Sequence, residues 1–376
     1  MKPLKEKDLI KQHIKILNGL KFKSGLFSAS KPTVSTGYDK AWLRDNFYEC
    51  IAFEVTKDWQ TVKQTYRALL DIFLKHEDKI TMAIASKPAY THEYIHARYH
   101  PETFEEFWEE WGNKQNDAIG CILFKIGELE KVKEIKILEN EADYRIVQKL
   151  VDYLSTLEYW HDPDSGIWEE NEEVHASSVG ACVAGLEMVK DLKGINVHPE
   201  IIKKGYQALA KLLPRESDKK FVDLALLSLI WPYEVTTKGQ TKEILKNVEY
   251  HLLKNKGVIR YKGDAYYNKN LDNISEEAEW TFGLSWLSII YSQLGNKKKA
   301  KKFLDMTIDT ENTEGEVPEL YYSNSEKNNE NSPLGWSESL FITALYEMNH
   351  KHLDLKNPNP KKKSTKKKNG NTKKKN

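Results

Sequence analysis

Residues 174–191 read VHASSVGACVAGLEMVKD and, drawn as a helix, are apolar on almost every face. A helix of this kind has to be covered by neighbours on all sides. Residues 275–295, SEEAEWTFGLSWLSIIYSQLG, have the same character. In contrast, residues 141–157 and 238–253 each carry a single apolar stripe with Lys and Glu on the opposite face. Alternation of covered and half-covered helices predicts two layers, an inner ring of helices wrapped by an outer one.

Helical periodicity recurs along the body of the chain, and no convincing run of alternating strand residues interrupts it. The predicted fold class is therefore all-α. Start signals stand at Asp39, Asn116 and Ser275, and Gly or Pro follows several of the helices. We expect twelve helices, at residues 6–19, 39–54, 59–75, 114–132, 141–157, 174–191, 198–213, 220–230, 238–253, 275–295, 297–309 and 335–348.

Composition excludes several classes of protein. The chain has 376 residues, of which 40% are hydrophobic and 30% charged, and no stretch approaches the roughly 18 uninterrupted apolar residues of a transmembrane helix. The N-terminus lacks the hydrophobic core of a signal peptide. Cys50, Cys121 and Cys182 form no CxxC pair, which argues against a disulfide framework or a zinc site. We expect a cytoplasmic protein without membrane contact.

Charge is distributed unevenly between the body and the C-terminal tail. The last 21 residues, Lys356–Asn376, contain ten lysines and no acidic residue. Removing these ten charges from the formal net charge of +1 leaves −9 for the remainder. An acidic body makes nucleic acid an unexpected partner for the folded part. We predict one domain over residues 1–355 and a disordered, solvated tail over 356–376, with weak contacts to polyanions as the alternative for the tail.

Two segments in the first third of the chain combine charge with tryptophan. Residues 37–46 read GYDKAWLRDN, in which an arginine fork and an aspartate suit the vicinal hydroxyls of a sugar. Residues 108–117 read WEEWGNKQND, in which indoles beside amides suit the apolar faces and polar rim of a pyranose. Both segments also have structural explanations, because an Arg-Asp pair can cap a helix and tryptophans often anchor a core.

Two further segments each place a glutamate beside aromatic residues. Residues 162–170 read DPDSGIWEE, and residues 315–322 read GEVPELYY with Pro333–Ser337 close behind. A glutamate held against an indole is partly desolvated, which favours the protonated form that a general acid needs. Two such glutamates could be the acid and base of glycoside hydrolysis, although each could also lie in a charged surface turn. Residues 257–267, GVIRYKGDAYY, add another set of arginine, aromatic and acidic side chains.

Taken in order, these segments resemble glycoside hydrolase family 15, the glucoamylase family, over roughly residues 25–348. Trp42–Asp45 resembles its W-x-R-D segment, and Trp111–Asp117 its W-G-x-x-Q-x-D segment. Gly166–Glu169 resembles G-I-W-E, Pro318–Tyr321 resembles P-E-x-Y, and Arg260–Tyr267 resembles R-Y-x-G-D-x-Y-Y. The resemblance implies an (α/α)6 toroid of six inner and six outer helices, in agreement with the twelve helices expected from periodicity.

The resemblance also implies an inverting, exo-acting hydrolase that releases glucose from α-glucans or α-gluco-oligosaccharides. Glu169 would be the general acid and Glu319 the general base, with their carboxyl groups roughly 6.5–9.5 Å apart to admit a water molecule. No metal or organic cofactor is implied. The substrate-binding residues would be Arg44, Asp45, Trp42, Trp111, Gln115, Asp117, Trp168, Glu170 and Arg260. Linkage specificity, whether α-1,4, α-1,6 or α,α-1,1, would depend on the loops around residues 76–113 and 268–275.

A second resemblance leaves an alternative open. Glu173–Gly180, Leu212–Arg215, Val222-Asp223 and His96–Tyr99 are similar to parts of the phosphorylase kinase α and β subunits, whose N-terminal domain is related to the same family and which are regulatory. The chain could therefore be a non-catalytic glucan-binding or regulatory module. A plain helical scaffold is the third possibility, and it leaves the clustered carboxylates and tryptophans unexplained. We find no β-sandwich or starch-binding module in the sequence and expect a bare catalytic domain.

Overall fold

The computed structural model describes residues 6–109, 111–267 and 277–349 of the chain. Their α-helices are α1 Glu6–Leu20, α2 Leu43–Val55, α3 Trp59–Lys75, α4 Glu77–Ala85, α5 Asn116–Lys131, α6 Glu141–Leu157, α7 Ala176–Val189, α8 Pro199–Leu212, α9 Lys238–His251, α10 Phe282–Gln293, α11 Lys297–Ile308 and α12 Gly335–Asn349. Short 3-10 helices cover Thr91–Glu93 and Leu224–Leu229. The predicted domain boundary at residue 355 and the Lys-rich tail lie outside the described residues.

Six elements form a closed inner ring. Helix α2 packs on α5, α5 on α7, α7 on the 3-10 helix Leu224–Leu229, that helix on α10, α10 on α12, and α12 back on α2. The outer helices pack on the ring from outside, with α8 against α7, α9 against the 3-10 helix, α11 against α10 and α12, and α1 against α12. Helices α3 and α6 contact α2 and α5. The all-α class and the (α/α)6 toroid are confirmed.

Two glycines let inner helices α5 and α7 approach closely. A Cβ atom at Gly120 would lie 2.5 Å from the carbonyl carbon of Ala181, and one at Gly185 would lie 2.4 Å from the carbonyl oxygen of Gly120. Backbone therefore packs directly on backbone at this crossing, as only glycine permits. The outer helices α6 and α9 show a one-sided apolar pattern, and side chains cap their first turns, Asn140 before α6 and Thr237 before α9.

Two inner helices begin at later residues than the sequence predicted, because a short strand precedes each of them. Strand β1, Ala41–Trp42, pairs antiparallel with β2, Arg98–Tyr99, so α2 begins at Leu43 and not at residue 39. Strand β3, Glu279–Trp280, pairs with β4, Leu320–Tyr321, so α10 begins at Phe282. The backbone groups just before each helix are satisfied by pairing across the ring end, which removes the need for a side-chain cap. The start signal expected at Ser275 lies outside the described residues.

Two other helix predictions are corrected. Residues 77–85, expected to be a connection, form the short helix α4, which packs on α6 and buries only Ile80 and Ala83. Residues 220–230, expected to be an ordinary helix, contain the 3-10 helix Leu224–Leu229, all of whose residues are buried. Asp223 caps this helix by accepting from the Ala225 N–H, and Pro232 follows it closely, so there is no room for a longer α-helix.

Cys50, Cys121 and Cys182 are buried and free. Across residues 6–109, 111–267 and 277–349, no helix combines the length and apolar character that crossing a bilayer requires.

A buried charge pair joins outer helix α1 to inner helix α12. His13 is fully buried, and its Nδ1 donates to Glu338 Oε2 at 2.5 Å, while its Nε2 lies 3.6 Å from Glu311. Burial alone lowers the pKa of a histidine, but hydrogen bonds and charges from Glu311 and Glu338 outweigh it and raise the pKa of His13 to about 9. Glu338 Oε1 also accepts from the Val317 backbone N–H at 2.7 Å. The pair therefore fixes the segment that leads to Glu319.

The His13 pair makes stability dependent on pH. The ordinary histidine pKa is 6.5 and the folded value is about 9, so the stabilisation is complete below pH 6.5 and is lost as the pH rises through about 9. We expect the free energy of unfolding, measured by urea titration across this range, to fall by up to about 3 kcal/mol on account of this group. His13→Gln should abolish that part of the decrease. An unchanged pH dependence in the variant would show that His13 is not charged in the folded protein.

Candidate active site

A cavity of about 320 Å³ lies at the end of the ring where the inner helices begin. Its walls come from the segments that lead into α2, α5, α7, α10 and α12, together with the first residues of α2, α10 and α12. The size suits a small polar ligand. The lining residues are Ala29, Thr36, Tyr38, Trp42, Arg44, Asp45, Trp111, Ile167, Trp168, Glu169, Glu170, Arg260, Tyr266, Trp280, Phe282, Glu319, Leu334 and Trp336.

Arg44, in the first turn of α2, joins three parts of the site. Its Nη1 donates to Gln115 Oε1 at 2.9 Å and to Asp117 Oδ2 at 3.0 Å, and its Nη2 donates to Glu169 Oε1 at 3.0 Å. Gln115 and Asp117 were expected to bind substrate. They lie behind Arg44 and are not among the cavity-lining residues, so they orient its guanidinium. Arg44 itself is exposed toward the cavity by only 4%.

Glu169 lies in the turn before α7 on a left-handed backbone, with φ of 59°. Such a conformation costs energy for a residue other than glycine and is found where the surroundings enforce it. Three donors converge on the carboxylate: the Arg44 guanidinium, the Trp111 indole N–H at 2.9 Å and the Gln115 amide at 3.0 Å. The sequence predicted an indole beside this glutamate. The indole of Trp111 lies there, and its N–H donates a hydrogen bond to Glu169.

Glu170 and Arg260 form a second ion-pair cluster on the cavity wall. Arg260 Nη2 donates to Glu170 Oε1 at 2.6 Å and to Asp264 Oδ1 at 2.7 Å, and the Tyr261 hydroxyl donates to Glu170 Oε2 at 2.6 Å. Burial raises the pKa of Glu170, but Arg260 and Tyr261, with a nearby lysine, outweigh it and lower that pKa. The Arg260 guanidinium also lies 5.4 Å from the Trp168 ring. This wall therefore carries fixed charge beside an indole face.

Glu319 has different surroundings. It is 1% exposed, its Oε1 accepts from the Tyr38 hydroxyl at 2.9 Å, and its Oε2 accepts from Asn329 at 2.6 Å and Asn331 at 2.7 Å. Burial raises the pKa of Glu319, and the three donors oppose this without cancelling it. Its backbone N–H donates to Asn331 and its carbonyl accepts from Thr281. Both the backbone and the carboxylate are therefore held in place.

Asp45 lies next to Arg44 in the first turn of α2 and faces the cavity. Burial raises its pKa to about 7, even though Arg44 lowers it, and the charges of Glu169 and Glu319 add to the rise. A carboxyl that gains a proton near neutrality can both donate and accept hydrogen bonds. Trp42 and Trp111 meet edge to face beside it, with ring centroids 6.3 Å apart.

The two glutamates reach the cavity from opposite sides of the ring. Glu169 precedes α7 and Glu319 precedes α12, and these helices are three places apart in the ring of six. A ligand in the cavity is therefore flanked by one carboxylate among cationic and neutral donors and another among neutral donors only. Two carboxyl groups on opposite sides of a ligand can transfer protons to or from it on both sides.

Several residues that line the cavity or hold Glu319 were not singled out from the sequence. Tyr38 and Tyr266 line the cavity and lie within segments already recognised, and Trp336 follows the glutamate segment closely. Trp280 and Phe282 also line it, but their positions are indistinguishable from core positions in an apolar stretch. Asn329 and Asn331 carried no signal, because they lie in a polar loop of ordinary composition.

Comparison with known proteins gives a family and a fold. The family model described as glycosyl hydrolases family 15 matches residues 5–345. A solved wild-type glycosidase superposes with a TM-score of 0.80 at 18% identity, covering 91% of this chain and 96% of that one. A bacterial glucoamylase complexed with acarbose superposes with a TM-score of 0.68 at 16% identity, covering 91% of this chain and 56% of that one. At these identities the superpositions show the fold alone.

A curated relative is the regulatory subunit alpha of phosphorylase b kinase, skeletal muscle isoform, from Oryctolagus cuniculus. The two sequences are 26% identical over 377 residues, which covers 81% of this chain and 30% of the relative. The chain thus spans about a third of the length of that regulatory subunit.

Arg44 should be essential for stability as well as for the shape of the site. Arg44→Met leaves Asp117 buried without its cation, and loss of one partner of a buried pair costs about 3–5 kcal/mol. Gln115→Met removes only a neutral partner and should cost about 1 kcal/mol. Urea denaturation at neutral pH measures both. Equal losses in the two variants would show that the guanidinium is not balanced by buried negative charge.

Proposed function

This chain belongs to glycosyl hydrolases family 15, and on that basis we propose that it is an inverting, exo-acting glycoside hydrolase. It releases glucose from the non-reducing ends of α-glucans or α-gluco-oligosaccharides. One observation carries the proposal: Glu169 and Glu319 line the same cavity from opposite sides of the ring. Inverting hydrolases need two carboxyl groups separated widely enough to place a water molecule between the base and the anomeric carbon.

In this mechanism Glu169 supplies the proton and Glu319 removes one. Glu169 protonates the glycosidic oxygen as the bond from that oxygen to the anomeric carbon breaks. Glu319 accepts a proton from water as the water oxygen bonds to the opposite face of that carbon. An α-linked glucose therefore leaves as β-glucose. Tyr38, Asn329 and Asn331 direct Glu319 through hydrogen bonds that leave its carboxylate in one orientation.

The remaining cavity residues would hold the terminal sugar. Arg44 and Asp45 offer donors and acceptors to adjacent hydroxyl groups, and the indoles of Trp111 and Trp168 offer apolar faces to the ring. Arg260, already paired with Glu170, brings a further cation to the wall. Linkage would be selected outside the cavity. Of the two loops to which we attribute it, residues 268–275 lie outside the described residues.

A second candidate function is binding without turnover. The curated relative is a regulatory subunit, and both glutamates could serve to hold sugar hydroxyls. Such a module would bind maltose or isomaltose stably, and a calorimetric titration would reach a plateau with no continuing heat. An enzyme would give continuing heat as the ligand is consumed.

Replacing either glutamate should separate catalysis from binding. We expect Glu169→Gln and Glu319→Gln each to lower turnover by about 10²–10⁴-fold, because each removes one proton transfer. Proton NMR with maltotetraose, isomaltotriose and trehalose in parallel reports activity, linkage and the anomer first released. Glu172→Gln is the matched control, since its side chain lies on the same loop and is 54% exposed.

The anomer and the control decide the outcome. Initial β-glucose from one substrate, lost in both glutamine variants and kept in Glu172→Gln, supports the inverting hydrolase and identifies its linkage. Unchanged spectra with all three substrates, together with stable sugar binding, would favour the regulatory module.

The proposed base also sets a pH dependence. Burial raises the pKa of Glu319 and the amide of Asn331 lowers it, so Asn331→Ala should raise that pKa further. The base then keeps its proton to a higher pH, and the acidic limb of the kcat/KM profile moves upward. A uniform loss of activity without movement of that limb would indicate that Asn331 supports only the loop.

A further inference from the structure

One buried cation close to Glu169 has no part in the mechanism above. Arg98 lies on strand β2, opposite Trp42 in the β1–β2 pair, and is 3% exposed. Its guanidinium carbon lies 3.7 Å from the ring centroid of Trp111. That separation places the planar cation directly on the indole face. Arg98 comes from the His96–Tyr99 segment, to which the proposed function assigns no role.

The guanidinium is enclosed by aromatic rings. It lies 5.6 Å from the ring of Trp42 and 5.6 Å from that of Phe107, in addition to its contact with Trp111. Its Nη2 donates to Glu109 at 2.8 Å, but the Glu109 side chain is 58% exposed. An exposed carboxylate screens a buried cation weakly. Burial lowers the pKa of Arg98, and the charges of Glu109, Glu169 and Asp39 oppose this only in part. Of the three rings, that of Trp111 lies closest to the cation.

Trp111 connects Arg98 to the Glu169 carboxylate. Its indole N–H donates to Glu169 Oε2 at 2.9 Å, so Arg98, Trp111 and Glu169 form a continuous chain of contacts. A cation on the ring face fixes the plane of the indole and draws electron density from it, which makes the N–H a stronger donor.

We propose that Arg98 is a positioning residue for the general acid, acting on Glu169 through the indole of Trp111. The inference rests on the proposed role of Glu169 as the acid. The inference goes beyond that role. The orientation of the Glu169 carboxyl would depend on Arg98, a cation stacked on Trp111 from strand β2, and Arg98 does not itself line the cavity. Other charged groups near Glu169 come from several elements. They are Arg44 and Asp45 from α2, Asp117 from α5, Glu319 across the cavity, and Lys114 and Glu172, which line a neighbouring pocket together with Glu169.

The test compares Arg98→Met, which removes the charge and keeps an apolar chain on the indole, with Trp111→Phe, which keeps a ring and removes the N–H. We expect Arg98→Met to lower kcat more than it changes KM and to move the alkaline limb of the kcat/KM profile to higher pH. Without the cation on its ring, the Trp111 N–H is a weaker donor and stabilises the ionised Glu169 carboxylate less. In the Trp111→Phe background the same substitution should produce little further movement. An equal movement in both backgrounds would overturn the proposal.

A second readout separates this inference from the proposed function. With ¹⁵N-labelled tryptophan, the Trp111 indole N–H signal is the one lost in Trp111→Phe. We expect it to move in Arg98→Met and to stay in place in Glu109→Gln, because Glu109 touches Arg98 only from the exposed side. If the wild-type protein hydrolyses no glucan, the proposed function is wrong. The Trp111 N–H signal would still test the contact between Arg98 and Trp111. An unmoved signal in folded Arg98→Met, or in the equally uncharged Arg98→Gln if the first variant does not fold, would overturn the positioning role.

Discussion

A buried guanidinium must find its hydrogen-bond acceptors inside the protein, and Arg44 finds them on two different parts of the ring. Its acceptors are Gln115 and Asp117 at the start of α5, and Glu169 in the turn before α7. Satisfying one cation thus sets the relative positions of α2, α5 and the turn that bears a proposed catalytic group. The walls and the chemistry of the cavity cannot be adjusted independently of this network.

The closed ring explains why so many separate segments meet at one place. When six inner elements pack side by side and their ends align, the segments leading into them converge on a common mouth. Two pairs of short strands tie these segments together across the mouth. The ring supplies a rigid base, and the side chains that define the cavity are held by hydrogen bonds and stacking above it.

The sequence was most informative where one physical rule dominated. All-round apolarity identified α7 and the central part of α10, because full burial leaves no polar face. It failed at the start of α2 and α10, because pairing between Trp42 and Arg98 or between Trp280 and Leu320 depends on residues far apart in the chain. For the same reason, sequence analysis did not identify Asn329 and Asn331. Their role follows from their hydrogen bonds to Glu319, which depend on the fold. Gln115 and Asp117, expected to bind substrate, contact Arg44 and do not line the cavity. Spacing along the chain cannot distinguish a residue that lines a cavity from one that orients a lining side chain.

The left-handed backbone at Glu169 has an evolutionary consequence. Glycine or asparagine would relieve the strain at this position, so drift in a chain free of any requirement for a carboxylate would tend toward those residues and gain stability. The backbone disfavours glutamate at this position, and three hydrogen-bond donors hold its carboxylate in place. Among descendants of such a fold, the identity of this one residue would therefore record whether the carboxylate is still under selection.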